Sequence, residues 1–172
     1  KMDILDTIKK RQSVRDFSEE KISEEHLKII LDAAYHAPIG RAAYNRYELI
    51  VIKHKEKIDT LAQKIAEAGI LTKHPFFHAP IVIFVAAKPN RERLDGCDTG
   101  CLIENMMLAA TSLGLGSCFL YTVSEVINGR PFLLQALGLS DEYRAMSAVV
   151  IGHPKEKDLP PKVRPGIATR VL

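Results

Sequence analysis

A short polar stretch near the beginning of the chain carries the residues best suited to bind an anion. Residues 11–15 read Arg-Gln-Ser-Val-Arg, so two guanidinium groups and a hydroxyl alternate along the backbone. In an extended chain, residues two apart project from the same side, which would place Arg11, Ser13 and Arg15 on one face. Arginine makes paired, charge-assisted hydrogen bonds to phosphate oxygens. The pattern therefore predicts a phosphate-binding stretch, although so short a motif, taken alone, is more often a solvated basic turn.

Composition indicates one globular domain and a small-molecule ligand. The chain has 172 residues, of which 47% are hydrophobic and 26% charged, as is usual for a domain of this size. The net charge of +3 favours a site for a small anion over a nucleic-acid surface, which would be more basic. No apolar run is long enough to span a membrane, and no leader with a charged and then an apolar segment is apparent. We therefore expect a cytoplasmic protein that binds neither nucleic acid nor membrane.

Three cysteines limit the possible metal and disulfide chemistry. An odd number (Cys97, Cys101 and Cys118) argues against a disulfide framework. Cys97 and Cys101 have the spacing of half a metal site, but no second pair of cysteines or histidines stands at ligand spacing. We expect free cysteines in a reducing cytoplasm, and no metal.

Hydrophobic periodicity predicts the elements that must position the polar stretch. Strands are expected near 47–52, 80–87, 117–121 and 145–151. Leu49–Ile52 is apolar throughout, which is typical of a strand covered on both faces. Helices are expected from Met2 to Lys9 or Lys10, from a Ser23 cap to before Pro38, over 55–68, over 102–113, and over 125–135 with Ser124 as its cap. Helices interleaved with strands indicate the α/β or α+β class.

The helix predicted over 102–113 is apolar on almost every side. Such a helix must be buried on most sides, and a domain of this length has little room for a fully central helix. We therefore expect it to lie in an interface between subunits. The basic tail, residues 155–172, has too little apolar content to form a core element.

Several of these stretches, in this order and spacing, resemble the FMN-dependent nitroreductase family over nearly the whole chain. They are residues 11–17 (RQSVRDF), 34–38 (AYHAP), 47–52 (YELIVI), 78–83 (HAPIVI), 104–110 (ENMMLAA), 114–118 (GLGSC), 151–154 (IGHP) and 161–164 (PKVR). The resemblance implies a single domain over residues 1–172 with a three-layer α/β/α fold of the α+β class. Its central sheet would be mostly antiparallel. It also implies an intertwined homodimer that holds FMN at its interface, with the tail 155–172 extending over the partner subunit.

The resemblance also implies roles for individual residues. Those that would grip the flavin phosphate and ribityl chain are Arg11, Gln12, Ser13, Arg15, Lys162 and Arg164. Those that would reach the flavin from the other subunit are Pro38, Ile39, Gly40 and Asn45. Leu120, Tyr121 and Thr122 would run along the ring edge, where the backbone of Tyr121 and Thr122 would place an N–H near flavin N5. Arg41, Tyr44 and Tyr47 would meet the substrate.

The implied activity is that of an oxidoreductase whose flavin carries the chemistry, so no side chain need act as a nucleophile or base. NADH or NADPH would reduce the flavin in a ping-pong cycle, and a nitroaromatic, quinone or similar acceptor would then take two electrons. A cation near flavin N1 would be Arg15 or Arg41, although Arg41 and Arg46 equally fit a solvated loop. The chain departs from the family at 43–47, where an Asn-x-Gln-Pro-Trp run is common, and at Tyr121-Thr122, where glycine is common. Substrate choice is therefore the property that the resemblance determines least.

Two other functions remain compatible with the residues. One is a flavin-binding storage or sensor protein without efficient turnover. The other is a domain that binds a different phosphate ligand.

Overall fold

The fold is built on one four-stranded antiparallel sheet with helices on both faces. The structure, a computed structural model, describes residues 3–69 and 74–172. Four of the helices are α1 (Ile4–Lys10), α2 (Glu24–Tyr35), α3 (Lys55–Glu67) and α4 (Glu92–Ser112), and two shorter ones are α5 (Thr122–Asn128) and α6 (Pro131–Ala136). The strands are β1 (Tyr47–Ile52), β2 (Ile81–Ala87), β3 (Gly116–Leu120) and β4 (Arg144–Gly152), and their order in the sheet is β1-β2-β4-β3. The predicted α+β class and the four predicted strands are confirmed.

Alternating side chains of the central strands divide the core into two layers. On β2, Ile81, Ile83 and Val85 join the apolar cluster beneath α2 and α4. Val82, Phe84 and Ala86 join the cluster on the opposite face, beneath α3, α5 and α6. Every residue of β2 is buried. The period of two along a strand thus produces the three-layer α/β/α arrangement, because each face of the sheet has helices to cover it.

The prediction that β1 is covered on both faces is confirmed, although the cover is incomplete: Ile50 and Ile52 pack against the core on one face, and Leu49 and Val51 against the core on the other. Five of its six residues are half-buried and Glu48 is exposed. The strand lies at an edge of the sheet and pairs only with β2, from Tyr47 opposite Ala87 to Ile52 opposite Val82. An edge strand has no neighbour on its outer side, so the residues of β1 are less buried than those of the central strand β2, although both strands have apolar sequences.

Two of the predicted helices have different limits. α4 begins at Glu92, ten residues before the predicted start. The helix expected over 125–135 is two helices, because Gly129 and Arg130 separate α5 from α6, which begins at Pro131. Ser124 is no cap, since α5 begins at Thr122 and Ser124 is buried inside it. Proline suits the first turn of a new helix because its missing N–H has no partner there.

Other boundaries agree with the sequence. The Ser23 hydroxyl accepts from the His26 N–H and caps α2, and Asp3 caps α1, which ends at Lys10 as expected. Met2, predicted to belong to the first helix, lies outside the described residues. The tail after Pro154 has no helix or strand and is almost entirely exposed, as predicted. Over the described part of the chain, no helix is both long and apolar enough to cross a bilayer.

Candidate functional site

The stretch Arg11–Arg15 is extended and lies along the edge strand β3. The Val14 N–H donates to the Ser117 carbonyl at 2.8 Å, and further on the Ser18 N–H donates to the His153 carbonyl at 2.9 Å. Val14 and Phe17 are buried in the core. The backbone of the stretch is therefore fixed to the ends of β3 and β4 by hydrogen bonds and by two apolar anchors.

Two glycines make this close approach possible. A Cβ added to Gly116 would lie 2.8 Å from Val14 Cγ2, and one added to Gly152 would lie 2.8 Å from Phe17 Cδ1. Neither gap has room for a methyl group, since carbon atoms normally pack about 3.5–4.0 Å apart. The missing side chains of Gly116 and Gly152 therefore let the segment that carries the arginines lie flat on the sheet.

The side chains of Arg11, Ser13 and Arg15 lie near the Cys118 thiol. Burial raises the pKa of Cys118, while Arg15, Ser13 and Arg11 act in the opposite direction by charge and hydrogen bonding. Arg11 Nε lies 3.6 Å from Glu104 Oε1 on α4, and Arg15 Cζ lies 6.0 Å from the centroid of the Phe77 ring. The alternation predicted from the sequence thus brings two guanidiniums and a hydroxyl to one region.

The tail adds a third guanidinium to this region. Arg164 Nη2 donates to the carbonyl oxygen of Arg11 at 2.7 Å, and Gln12 Nε2 donates to the Pro160 carbonyl at 3.1 Å. Lys162 lies between these two tail contacts and is exposed. Two contacts thus bring the tail to Arg11 and Gln12 from about 150 positions away, and the joint role predicted for Arg11, Gln12, Ser13, Arg15, Lys162 and Arg164 stays a prediction.

A groove of about 940 Å³ lies beside the same stretch, between the end of α4 and the tail. Gln12 and Val14 line it, but Arg11, Ser13 and Arg15 do not. We place the anion site at the guanidinium groups rather than in this groove, because a phosphate is bound by charge-assisted hydrogen bonds and not by the shape of a cavity alone.

The predicted ring-edge residues lie at the junction of β3 and α5. Leu120 is buried, whereas Tyr121 is exposed and its hydroxyl donates to Glu125 Oε1 at 2.9 Å. No side chain caps α5 in the described structure. The first backbone N–H groups of a helix have no acceptor within it, so those of Thr122 and Val123 suit an external acceptor, whereas the Ser124 N–H donates to the Tyr121 carbonyl at 3.0 Å.

The loop over 38–46 consists of two short 3₁₀ turns, Gly40–Ala42 and Tyr44–Arg46. Arg41 and Ala42 adopt left-handed backbone conformations, with φ of 59° and 52°. Arg41, Tyr44 and Asn45 are exposed, as is Pro38, while Ile39 is buried. The Tyr44 hydroxyl donates to the Ala37 carbonyl at 2.9 Å.

Two buried carboxylates of α4 hold this loop, and the sequence reasoning missed both. Asp98 accepts from the Gly40 N–H at 3.0 Å and from the Tyr47 hydroxyl at 2.8 Å. Asp95 accepts from Arg46 Nη2 at 2.8 Å, so Arg46 is paired rather than solvated. Burial and the bond to Asp98 raise the pKa of Tyr47. Two aspartates three apart in a largely apolar helix are the signal that could have revealed them, since isolated buried charges need partners.

Burial alone would raise the pKa of Asp95, but the Asn90 N–H and the Arg46 guanidinium outweigh it and lower that pKa. Asp95 therefore stays charged in the folded protein, and the Arg46 pKa is raised in turn by this bond.

The loop and the arginine stretch contact different parts of α4. The loop is bonded to Asp95 and Asp98, which lie in the first two turns of α4. Arg11 pairs instead with Glu104, farther along the same helix. Among the described residues, no hydrogen bond or ion pair joins the loop to residues 11–15. The loop and the arginine stretch are therefore held by different residues of α4, and the joint site predicted for them stays a prediction.

Comparison with known proteins assigns the chain to a family. The model of the nitroreductase family matches residues 8–75 and 71–153, which together cover most of the chain. The chain belongs to the nitroreductase family. A curated protein of Archaeoglobus fulgidus is 31% identical over 159 residues, and the match covers 90% of this chain and 87% of that protein. It carries the provisional name NADH dehydrogenase/NAD(P)H nitroreductase.

Two further nitroreductase relatives bear on the cofactor. The NADPH-flavin oxidoreductase of Vibrio harveyi is 25% identical over 178 residues, covering 98% of this chain and 71% of its own. A nitroreductase of Bacteroides fragilis was solved with bound FMN. It superposes with a TM-score of 0.83 over the full length of both chains, at 28% identity.

Proposed function

We propose that this nitroreductase-family chain is an FMN-dependent NAD(P)H oxidoreductase whose flavin phosphate is held by Arg11, Ser13 and Arg15. The observation that carries the proposal is the gathering of these side chains near Cys118, with Arg164 bonded to the Arg11 carbonyl. Guanidinium groups match the charge and the oxygen geometry of a phosphate monoester. The names of the Bacteroides fragilis and Vibrio harveyi relatives support FMN as the phosphate ligand and a nicotinamide as the electron donor.

Bound FMN would supply the electron transfer, and the protein would bind and orient it. In this proposal Gln12, Lys162 and Arg164 extend the phosphate grip. Leu120, Tyr121 and Thr122 follow the ring edge, where the first N–H groups of α5 are suited to donate a hydrogen bond to a flavin nitrogen.

We assign the acceptor class as small electron-poor aromatics, such as nitroaromatics and quinones, reduced by two electrons after the nicotinamide has left. The exposed loop residues Arg41 and Tyr44 are the side chains proposed to meet the acceptor. The hydroxyl of Tyr47, a third candidate, is engaged by Asp98, so only its ring remains to contact a substrate.

We further propose that the chain works as a homodimer. Within residues 3–69 and 74–172, the apolar side of α1 is poorly covered, since Ile4, Leu5 and Ile8 are 60%, 61% and 48% exposed. In the tail, Val163 and Ile167 are more than 90% exposed. Apolar surface of this kind favours a protein interface, and a second copy would also bring a 38–46 loop to the arginine stretch. The three free cysteines fit the reducing cytoplasm, the compartment we propose.

The first experiment is the colour and redox behaviour of the purified protein. We expect a yellow protein, or one that takes up added FMN, eluting at the mass of a dimer. Anaerobic addition of NADH or NADPH should bleach the flavin, and a quinone or nitroaromatic should restore the colour. A colourless protein that fails to bind FMN would instead support a different phosphate ligand. Flavin that is bound but not bleached by either nicotinamide would support a storage or sensor protein.

A further inference from the structure

Asp98 joins the two ends of the 38–46 loop through one buried carboxylate. Its Oδ1 accepts from the Gly40 N–H at 3.0 Å, and its Oδ2 accepts from the Tyr47 hydroxyl at 2.8 Å. Asp98 is 3% exposed, so water does not compete for either bond. A carboxylate that accepts two hydrogen bonds away from water makes stronger bonds than the same groups make in water.

The loop between these two bonds has an unfavourable backbone conformation, which surrounding contacts must stabilise. Arg41 and Ala42, both with side chains, have φ of 59° and 52°. Residues other than glycine disfavour this region, and they persist in it only where the surroundings hold them. A Cβ on Gly40 would lie 2.9 Å from Leu94 Cδ1, so the loop also presses closely against α4.

A second contact from the same helix holds the end of the loop. Arg46 Nη2 donates to Asp95 Oδ1 at 2.8 Å and also to the Lys88 carbonyl. Asp95 therefore fixes Arg46, while Asp98 fixes Gly40 and Tyr47. Between these points, Arg41 and Asn45 remain exposed.

We propose that Asp98 is the positioning residue of the substrate loop. Through Gly40 and Tyr47 it sets where the loop presents Arg41 and Tyr44, and so it controls the affinity for the electron acceptor. It does not touch the phosphate grip, which lies along β3 and pairs with α4 at Glu104. This proposal rests on the proposed oxidoreductase function for its kinetic consequence, but not for its structural one.

The test compares three variants of the full-length, FMN-loaded protein with a control. Asp98→Ala removes both bonds, whereas Asp98→Asn can still accept from the Gly40 N–H through its oxygen and donate to the Tyr47 oxygen through its amide. Tyr47→Phe removes one bond only. The control is Asp141→Ala, because Asp141 is exposed.

Two readouts are measured for each protein. The rate of tryptic cleavage after Arg41 reports the order of the loop and needs no flavin. Steady-state kinetics with a quinone, together with FMN titration, separate acceptor KM from cofactor affinity. We expect Asp98→Ala to be cleaved faster and to raise the acceptor KM by about tenfold, with the Kd for FMN within about twofold of wild type.

The other variants make the inference specific. Asp98→Asn should restore wild-type cleavage and KM, Tyr47→Phe should be intermediate, and Asp141→Ala should be unchanged. Should Asp98→Ala fail to fold, Tyr47→Phe still decides the matter by its own cleavage rate and KM. Unchanged cleavage and KM in both Tyr47→Phe and any folded Asp98→Ala overturn the proposal, as does Asp98→Asn behaving like Asp98→Ala. A wild type without flavin turnover refutes the proposed function alone, because the cleavage comparison still tests the loop.

Discussion

Val14 lies directly over Gly116, with its Cγ2 2.8 Å from the position that a Cβ on this glycine would take. This contact determines how closely the arginine stretch approaches β3, because Val14 also donates its N–H to the Ser117 carbonyl. The geometry of the proposed phosphate site thus depends on a residue that carries no side chain.

Gly116→Ala should displace Val14 and with it the flanking Arg11, Ser13 and Arg15. We expect a loss of about 1–3 kcal/mol in the free energy of unfolding, as for other overpacked cores, and weaker FMN binding. Urea denaturation and FMN titration measure the two effects. Gly129→Ala is the control, because the nearest atom to its Cβ would be the Glu125 carbonyl at an ordinary 3.6 Å. Equal FMN affinity in the two variants would count against this role of Gly116.

Arg11→Ala should weaken FMN binding by about ten- to a hundredfold, since charge-assisted hydrogen bonds contribute about 1.5–3 kcal/mol each. Lys10→Ala removes the same charge one position earlier and serves as the matched control. Lys10 lines the groove on the other side of the stretch, whereas Arg11 lies near Ser13 and Arg15. Isothermal titration of the two flavin-free proteins compares them, and similar affinities would refute the assigned face.

Asp95→Asn should destabilise the fold by about 2–4 kcal/mol, because it leaves the half-buried Arg46 guanidinium without its countercharge. The pKa of Asp95 is lowered in the folded state, so its contribution is fully present above the ordinary carboxyl pKa of 3.8 and is lost as the pH falls through the lower folded pKa. Denaturant unfolding between pH 7 and pH 3 should therefore show the two proteins converging in acid. Glu142→Gln, which breaks the exposed pair with Lys88, should stay near wild type throughout.

His74 should make the fold less stable in mild acid. Burial lowers its pKa, and the stacked ring of His78, 3.9 Å away between centroids, lowers it further, as does Lys55, while Asp59 opposes them. A lowered pKa means that the unfolded chain binds the proton more readily. Stability is therefore full above the ordinary histidine pKa of 6.5 and falls as the pH drops from there through the folded pKa.

Thermal unfolding at pH 7.5 and pH 5.5 measures this effect of His74. His74→Asn keeps an acceptor for the Phe76 and His78 N–H groups and should show a smaller drop in Tm between the two pH values. His54→Asn, at an exposed histidine, should retain the full drop. An identical drop in His74→Asn would assign the acid sensitivity to other groups.

The sequence by itself determined the elements whose signals are local. Strand periodicity located all four strands, including the fully buried Ile81–Ala87, and Ser23 and Lys10 marked helix ends, because caps and alternation depend on near neighbours alone. The alternation of Arg11, Ser13 and Arg15 likewise follows from the geometry of an extended chain.

Only the tertiary structure decided which of these residues meet. Burial of β1 depended on its place at the sheet edge, and the roles of Asp95 and Asp98 depended on a loop some fifty positions earlier in the sequence. The approach of Arg164 to Arg11 spans nearly the whole chain. Contacts between distant residues produce no periodic pattern in a sequence, because each partner alone looks like an ordinary polar residue. Only folding brings the charges and their partners together.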